Sequence, residues 1–171
     1  MAALRLQPGQ KIADVGAGTG AYLAPLARAV GPDGKLFAVD IAPAFIVYMV
    51  ERAKAEGLAN VSVILGRADS PTLPAGALDA IVSINTFHHF EAPDAMLEEL
   101  HRALKPGGQL AIVDFDRDSA GVTDQQRTMA PLDKAGHIRL IEAQGFRLVE
   151  DVTIPGLRQN FMLRFERSEA R

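Results

Sequence analysis

Five short runs of nearly uninterrupted apolar residues dominate the first two-thirds of the chain: KIADV (11–15), KLFAVD (35–40), NVSVIL (60–65), LDAIVSI (78–84) and QLAIVDF (109–115). Strands with one wet face alternate apolar and polar residues, whereas runs like these belong to parallel strands covered on both faces. Helical stretches lie between most of them. AYLAPLARAV (21–30) carries Leu23, Leu26, Ala27 and Val30 at helical spacing and stops at Gly31, with Pro25 near its first turn, where proline is tolerated. A helix opened by Pro43 presents Phe45, Ile46, Met49, Val50 and Ala53 on one side and ends at Gly57. APDAMLEELHRAL (92–104) turns Met96, Leu97, Leu100 and Leu104 inward, and KPGG (105–108) is read as a turn before the fifth strand.

The rhythm then weakens. Residues 119–131 read as polar and irregular, and a helix follows over about Asp133–Gln144, ended by Gly145. FRLVEDVTI (146–154) and QNFMLRFER (159–167) read as two final strands, and only PGLR (155–158) separates them. So short a link allows antiparallel pairing and forbids a crossover. Right-handed β-α-β crossovers make this an α/β, doubly wound sheet with helices on both faces, and 1–171 read as a single domain. Ligands of such sheets bind beyond the carboxyl ends of the strands, where the strand order reverses.

Composition narrows the function. Eighteen Lys and Arg against twenty-one Asp and Glu, with no basic block, give no electrostatic grip on nucleic acid or on an anionic membrane. With no cysteine, thiolate metal sites, disulfides and cysteine nucleophiles are out. No run approaches the roughly 20 apolar residues of a membrane span, and the N-terminal MAALRLQPGQ lacks a signal-peptide core. A cytoplasmic protein is the expectation.

GAGTGA (16–21) fits G-x-G-x-x-[GA], and Asp40 lies 20 residues past Gly20, at the end of the second strand. Both features match a dinucleotide fingerprint, but the physics serves any nucleoside: glycines admit close approach, the helix N-terminus offers free N–H groups, and the carboxylate accepts from ribose hydroxyls. A tight turn with no ligand would use the same glycines. Asp14 separates the ligands. A carboxylate two residues before the first glycine opposes a pyrophosphate and suits a positively charged ligand.

IADVGAGTG thus resembles motif I of class I S-adenosylmethionine-dependent methyltransferases, and four further stretches resemble that family's later motifs in order: LFAVDIAP (36–43), VILGRADSPTLP (63–74), LDAIVSINTFHHF (78–90) and EELHRALKPGGQLAIVDF (98–115). The match is nearest to the small-molecule, quinone-biosynthesis-like group. The resemblance implies a Rossmann-like sheet of seven strands with an antiparallel last strand. It also implies a cofactor half over about residues 10–118, S-adenosyl-L-methionine as cofactor, and S-adenosyl-L-homocysteine as product. By the same resemblance Gly16, Ala17 and Gly18 run along the methionyl part and ribose, and Asp40, with Ile41 beside it, binds the ribose. Asp69 accepts from the adenine amino group, Ala68 lies beside the ring, and Asn85 faces the methionyl amine.

Methyl transfer needs a base only when the acceptor loses a proton. His88 and His89 follow the fourth strand, and neighbours on extended chain point opposite ways, so at most one of them faces the substrate; His88 is slightly preferred. The alternative is that both histidines cap loops or line the cofactor. A bare His-His pair lacks metal-ligand spacing, so no metal is expected. Phe90, Phe115 and Tyr22 are candidates for an apolar wall, while Phe87 reads as core. NTFH replaces the (N/D)-P-P-(Y/F) run of the amino-methylating DNA enzymes.

The first strand begins about ten residues in, where the family usually has helices that close the pocket. The site is therefore expected to be open to a large acceptor, completed by a second copy in a homodimer, or truncated. The leading expectation is an enzyme that methylates a small molecule at O, N or C. Behind it stand a cofactor-binding module without catalysis and, on GAGTGA plus Asp40 alone, a nicotinamide-dependent oxidoreductase.

Overall fold

The computed structural model describes residues 2–120 and 122–168. Seven strands, β1 (Lys11–Val15), β2 (Lys35–Asp40), β3 (Val61–Leu65), β4 (Leu78–Ile84), β5 (Leu104–Phe115), β6 (Phe146–Asp151) and β7 (Asn160–Arg167), form one sheet in the order β3-β2-β1-β4-β5-β7-β6. The first five are mutually parallel, and β7 lies antiparallel between β5 and β6. From β1 the chain moves outward to β2 and β3, then returns to add β4 on the other side. The strand order therefore reverses between β1 and β4, and a crevice opens at their carboxyl ends.

Helices cover both faces, as the apolar runs require. On one face α1 (Leu23–Val30) and α2 (Pro43–Ala55) pack on Ile12, Leu36, Ala38 and Val82. Leu23, Leu26 and Val30 of α1 are fully buried, each worth about 1.5–3 kcal/mol by area removed from water. On the other face α3 (Pro93–Ala103) and α5 (Lys134–Ala143) pack on Ala13, Ile81, Ile112 and Phe165. Asp133 caps α5, its carboxylate accepting the Gly136 N–H at 2.6 Å.

Four expectations are corrected. Residues 45–50 of α2 are all apolar, and at 100° per residue they encircle the helix. Only Met49 is fully buried, while Val50, expected to face inward, is 50% exposed together with Val47 and Tyr48. The third strand is a half-exposed edge rather than a strand covered on both faces. KPGG is not a free turn but part of β5: Leu104 pairs with Leu78 and Gln109 with Ala80, so the extra residues form a bulge, with Gly107 at φ +71°. The stretch read as irregular holds a short helix, α4 (Asp124–Met129), whose polar sequence gave no periodic signal.

The turn after β1 is fixed sterically. Gly16 has φ +80°, and a Cβ there would stand 2.0 Å from Cγ2 of Thr86, whose hydroxyl donates to the Gly16 carbonyl at 2.9 Å. Gly18, at φ +56°, would meet nothing within 4 Å. Gly16→Ala is therefore expected to cost clash as well as backbone strain, and Gly18→Ala strain alone, of about 1–2 kcal/mol. Thermal unfolding of the ligand-free variants checks this; equal Tm losses would show that Thr86 does not constrain the turn.

Candidate active site

The crevice at the strand-order reversal holds a cavity of about 300 Å³. Six of the residues expected to hold the cofactor or act as base line it: Gly16, Gly18, Asp40, Ile41, Ala68 and His89. Thr86, Phe45, Arg67, Glu91 and Met96 also line it and were not singled out as site residues. Phe45 had been read as a core position of a helix. Its place at the cavity depends on where α2 starts relative to the sheet, which periodicity does not encode.

Asp40 ends β2 and joins two backbone turns. Oδ2 accepts the Gly18 N–H at 2.8 Å and Oδ1 accepts the Ala42 N–H at 2.9 Å, so one carboxylate ties the glycine turn to the entry of α2. Each oxygen retains a second lone pair, which a vicinal diol can use. Ile41 is exposed beside it and gives the cavity an apolar edge. Ala17 lies under the turn, its N–H donating to the Val39 carbonyl at 2.9 Å, so it shapes the loop without lining the cavity.

Asp14 sits inside β1, 1% exposed, with no hydrogen-bond partner on Oδ2 among the described residues. Burial, and secondarily the charge of Asp40, pushes its carboxyl up to about 7. A buried acid without a partner is costly when ionised, so its environment favours a cation or a proton.

Two expected residues stand elsewhere. Asp69 lies outside the cavity, its side chain 62% exposed and paired with Arg67 at 3.2 Å. Asn85 has φ +53°, in the left-handed region that asparagine tolerates, and its Oδ1 accepts from the Asn160 amide at 2.6 Å. That bond draws the side chain toward β7, and Asn85 does not line the cavity.

The two histidines lie in a short 3-10 helix, Phe87–His89, and not on extended chain as expected, and their side chains meet different surroundings. His88 is buried, its side chain 2% exposed, with Nδ1 2.6 Å from Oδ1 of Asp114 and its backbone N–H on Oδ2. His137 of α5 approaches the same carboxylate at 3.6 Å. Burial pushes Asp114 up, but bonding to His137 and His88 outweighs it and holds the carboxyl well below the usual range. His89, by contrast, is exposed and lines the cavity, its ring 4.1 Å from that of His88. Desolvation and the neighbouring His88 lower its pKa, against a smaller opposing pull from Asp114. Asp114 and His137 were not read as site residues. Asp114 carried a signal, an acid inside an apolar strand run, the same signal that marked Asp14. Of the aromatic candidates, Phe90 lines the cavity, Phe87 is core, and Tyr22 and Phe115 are outside it.

The family profile described as a methyltransferase domain matches residues 12–108, more than half of the chain. The chain belongs to the S-adenosylmethionine-dependent methyltransferases. It is 38% identical over 110 residues to a demethylmenaquinone methyltransferase of Geobacillus stearothermophilus, a match covering 63% of this chain and 46% of that protein. It is 35% identical over 106 residues to a nocamycin O-methyltransferase of Saccharothrix syringae, covering 62% and 38%. The chain thus spans less than half the length of these curated relatives. Among solved structures, a SAM-dependent methyltransferase from Aquifex aeolicus superposes with a TM-score of 0.87 at 29% identity, covering 95% of this chain and 84% of that one. The [4+2]-cyclase SpnF superposes at 0.83 with 18% identity, a likeness of fold alone.

S-adenosylmethionine, the family's methyl donor, fits the residues present on two observations. The Asp14 oxygen lacks a partner beneath the glycine turn, and the space where Gly18 would carry a Cβ is open. The pKa of Asp14 also fixes a pH dependence. Between pH 3.8 and about 7 the folded protein keeps a proton that the unfolded chain has released, so this group lowers stability as pH rises through that window. Asp14→Asn is expected to raise the Tm of the ligand-free protein at pH 8, by an amount corresponding to about 4 kcal/mol, and to change it little at pH 4. Equal shifts at both pH values would refute the ionisation argument.

Proposed function

We propose that this chain binds S-adenosylmethionine at the carboxyl ends of β1, β2 and β4 and transfers its methyl group to a small-molecule O, N or C acceptor. The observation that carries this reading is the buried Asp14, two residues before the glycine turn and just behind the cavity-lining Val15 and Gly16, whose Oδ2 has no hydrogen-bond partner among the described residues. It suits a ligand with an ammonium group and disfavours a pyrophosphate, which sets aside the nicotinamide alternative. The names of the relatives, a nocamycin O-methyltransferase and a demethylmenaquinone methyltransferase, support a small acceptor.

In this reading Gly16 and Gly18 let the backbone approach the methionyl part and ribose, Asp40 accepts from the ribose hydroxyls, and Ile41 and Ala68 flank the adenine. Ala17 holds the turn's shape. Asp69 reaches the adenine amino group only by leaving Arg67, and the backbone carbonyl of Asn85, rather than its engaged amide, is left for the methionyl amine. When bound, the cofactor supplies a methyl carbon already activated by a sulfonium. The chain's own task is then to hold the acceptor in line, which by proximity alone is worth about 7–11 kcal/mol in well-oriented systems.

The base role passes from His88 to His89. His88 is committed to Asp114 and does not line the cavity, whereas His89 lines it and is biased toward the neutral form that accepts a proton. For an acceptor that loses its proton, kcat/KM is expected to rise with pH through a pKa below the ordinary 6.5 of histidine and to level off above it. His89→Ala is expected to remove that limb and lower the plateau by about 10²–10⁴-fold. An unchanged pH profile would leave His89 as a lining residue only.

Calorimetry with S-adenosylhomocysteine and NAD side by side tests the cofactor. Asp40→Ala is expected to weaken S-adenosylhomocysteine by about 1–3 kcal/mol, the cost of losing a charged hydrogen-bond partner. Binding of NAD alone would overturn the reading. Tight S-adenosylhomocysteine binding without methyl transfer to a broad acceptor panel would favour a cofactor-binding module instead.

A further inference from the structure

The two edges of the sheet are built differently. At one edge β6 carries Arg147, Glu150 and Asp151, a register shift between Leu148 and Glu150, and ion pairs from Arg147 to Glu166 and from Asp151 to Lys134. Charges and bulges of this kind keep an edge strand from pairing with another chain. At the other edge β3 reads VSVIL, with no charge, no proline and no register shift against β2.

The open backbone groups of β3 follow from its register. The Asn60 carbonyl accepts from the Leu36 N–H, and the Gly66 N–H donates to the Asp40 carbonyl. Along a parallel ladder the alternate residues between them, Ser62 and Ile64, therefore also face β2, while Val61, Val63 and Leu65 face outward. Two of the outward groups are satisfied within the chain. The Val61 N–H donates to the Leu58 carbonyl at 3.2 Å, and the Leu65 carbonyl accepts from the Thr72 hydroxyl at 3.1 Å. The Val61 carbonyl, both groups of Val63 and the Leu65 N–H have no partner among the described residues. This set is complementary to itself. In an antiparallel pair centred on Val63, the two Val63 residues exchange a pair of bonds, and each Leu65 N–H meets the Val61 carbonyl of the other copy. The pairing this register leaves unmade, Val61 N–H with Leu65 carbonyl, joins the two groups that are already satisfied.

The side chains agree with that register. Val61 and Val63 line one surface groove together with Val50 of α2, and Val47, Val50 and Leu65 are at least half exposed. A two-fold axis at Val63 sets valine against valine, Val61 against Leu65 and Ser62 against Ile64, and keeps both α2 helices on one face. Opposite charges flank the strand at matching distances. Lys54 and Glu56 precede it, and Arg67 and Asp69 follow it. Antiparallel pairing brings the Glu56 end of one copy to the Arg67 end of the other, and the Lys54 end to the Asp69 end. Such exposed pairs add little energy, but no like charges oppose the contact.

We propose that β3 is a dimerisation edge, and that two copies of this chain join it antiparallel about a two-fold axis at Val63 into one continuous sheet. A second copy is the occupant because its own edge has the same open groups in the same register. The contact uses the same strand on both sides, so it closes at two copies.

Sedimentation velocity of the full chain from about 1 to about 500 µM, the range in which a modest interface associates, is expected to show the mass rising from the 18.3 kDa of one chain to twice that. Val63→Lys sets like charges face to face on the axis. It is expected to stay monomeric throughout, with an unchanged circular dichroism spectrum. The chain has no cysteine, so Val63→Cys gives a second readout. Residues of a hydrogen-bonded antiparallel pair stand about 5.5 Å apart at Cα, within disulfide reach, and oxidation is expected to give a covalent dimer. Val149→Cys, exposed on the β6 edge, is expected to stay uncrosslinked. If Val63→Lys does not fold, the two cysteine variants decide. A monomer over the whole range, a dimer that survives Val63→Lys, or crosslinking through Val149 as fast as through Val63 would overturn the proposal.

Discussion

One carboxylate, that of Asp40, sets the geometry on which the candidate site depends. By accepting N–H groups from Gly18 and Ala42 it closes the turn after β1 against the turn after β2. The strands deliver these turns to one edge because they are parallel, and the Asp40 bonds then fix the spacing between them. Gly16 packs on Thr86 from the other side, so the loops after β1, β2 and β4 are joined around a single cavity. Preorganisation of this kind means that a ligand need not order the loops it binds.

Two further acids lie within apolar strands and are handled in opposite ways. Asp114 is held by the His88 imidazole and two backbone N–H groups, with the His137 ring 3.6 Å away. Its charge is satisfied within the protein, and it joins the turn after β4, the end of β5 and the start of α5. Asp14 has an oxygen with no such partner among the described residues, and its burial penalises the charge. The contrast distinguishes an acid that holds the fold together from one whose environment favours a proton or a cation. The same sheet supports proteins as different as a methyltransferase and a [4+2]-cyclase, so the functional argument rests on side chains such as these and not on topology.

The elements nearest the cavity were the most legible. The edges of β1, β2 and β4 follow directly from apolar runs ended by Gly16, Asp40 and Asn85, because a strand in a two-sided sheet must stay apolar along its length. Legibility failed where a residue's environment depends on something distant in sequence. Val50 has the helical spacing of a core residue, yet α2 packs against the sheet at its margin and has too little surface to cover six consecutive apolar side chains. The bulge over KPGG arises from pairing with β4, which no local signal shows. For His88 and His89, the premise of extended chain does not hold: Phe87–His89 form a short 3-10 helix and the two rings lie 4.1 Å apart, so adjacency did not show which one turns inward.

By itself, the sequence determined the layered α/β architecture, the glycine turn, the two acids at Asp14 and Asp40, and the antiparallel final hairpin, because each depends on local sterics, periodicity or loop length. Tertiary structure alone decided that His89 and not His88 reaches the cavity, since Asp114, 26 residues from His88, claims the other imidazole. It also decided that Asn160 meets Asn85 across 75 residues of chain. Such pairings follow from strand order and register, which arise when distant segments share one core.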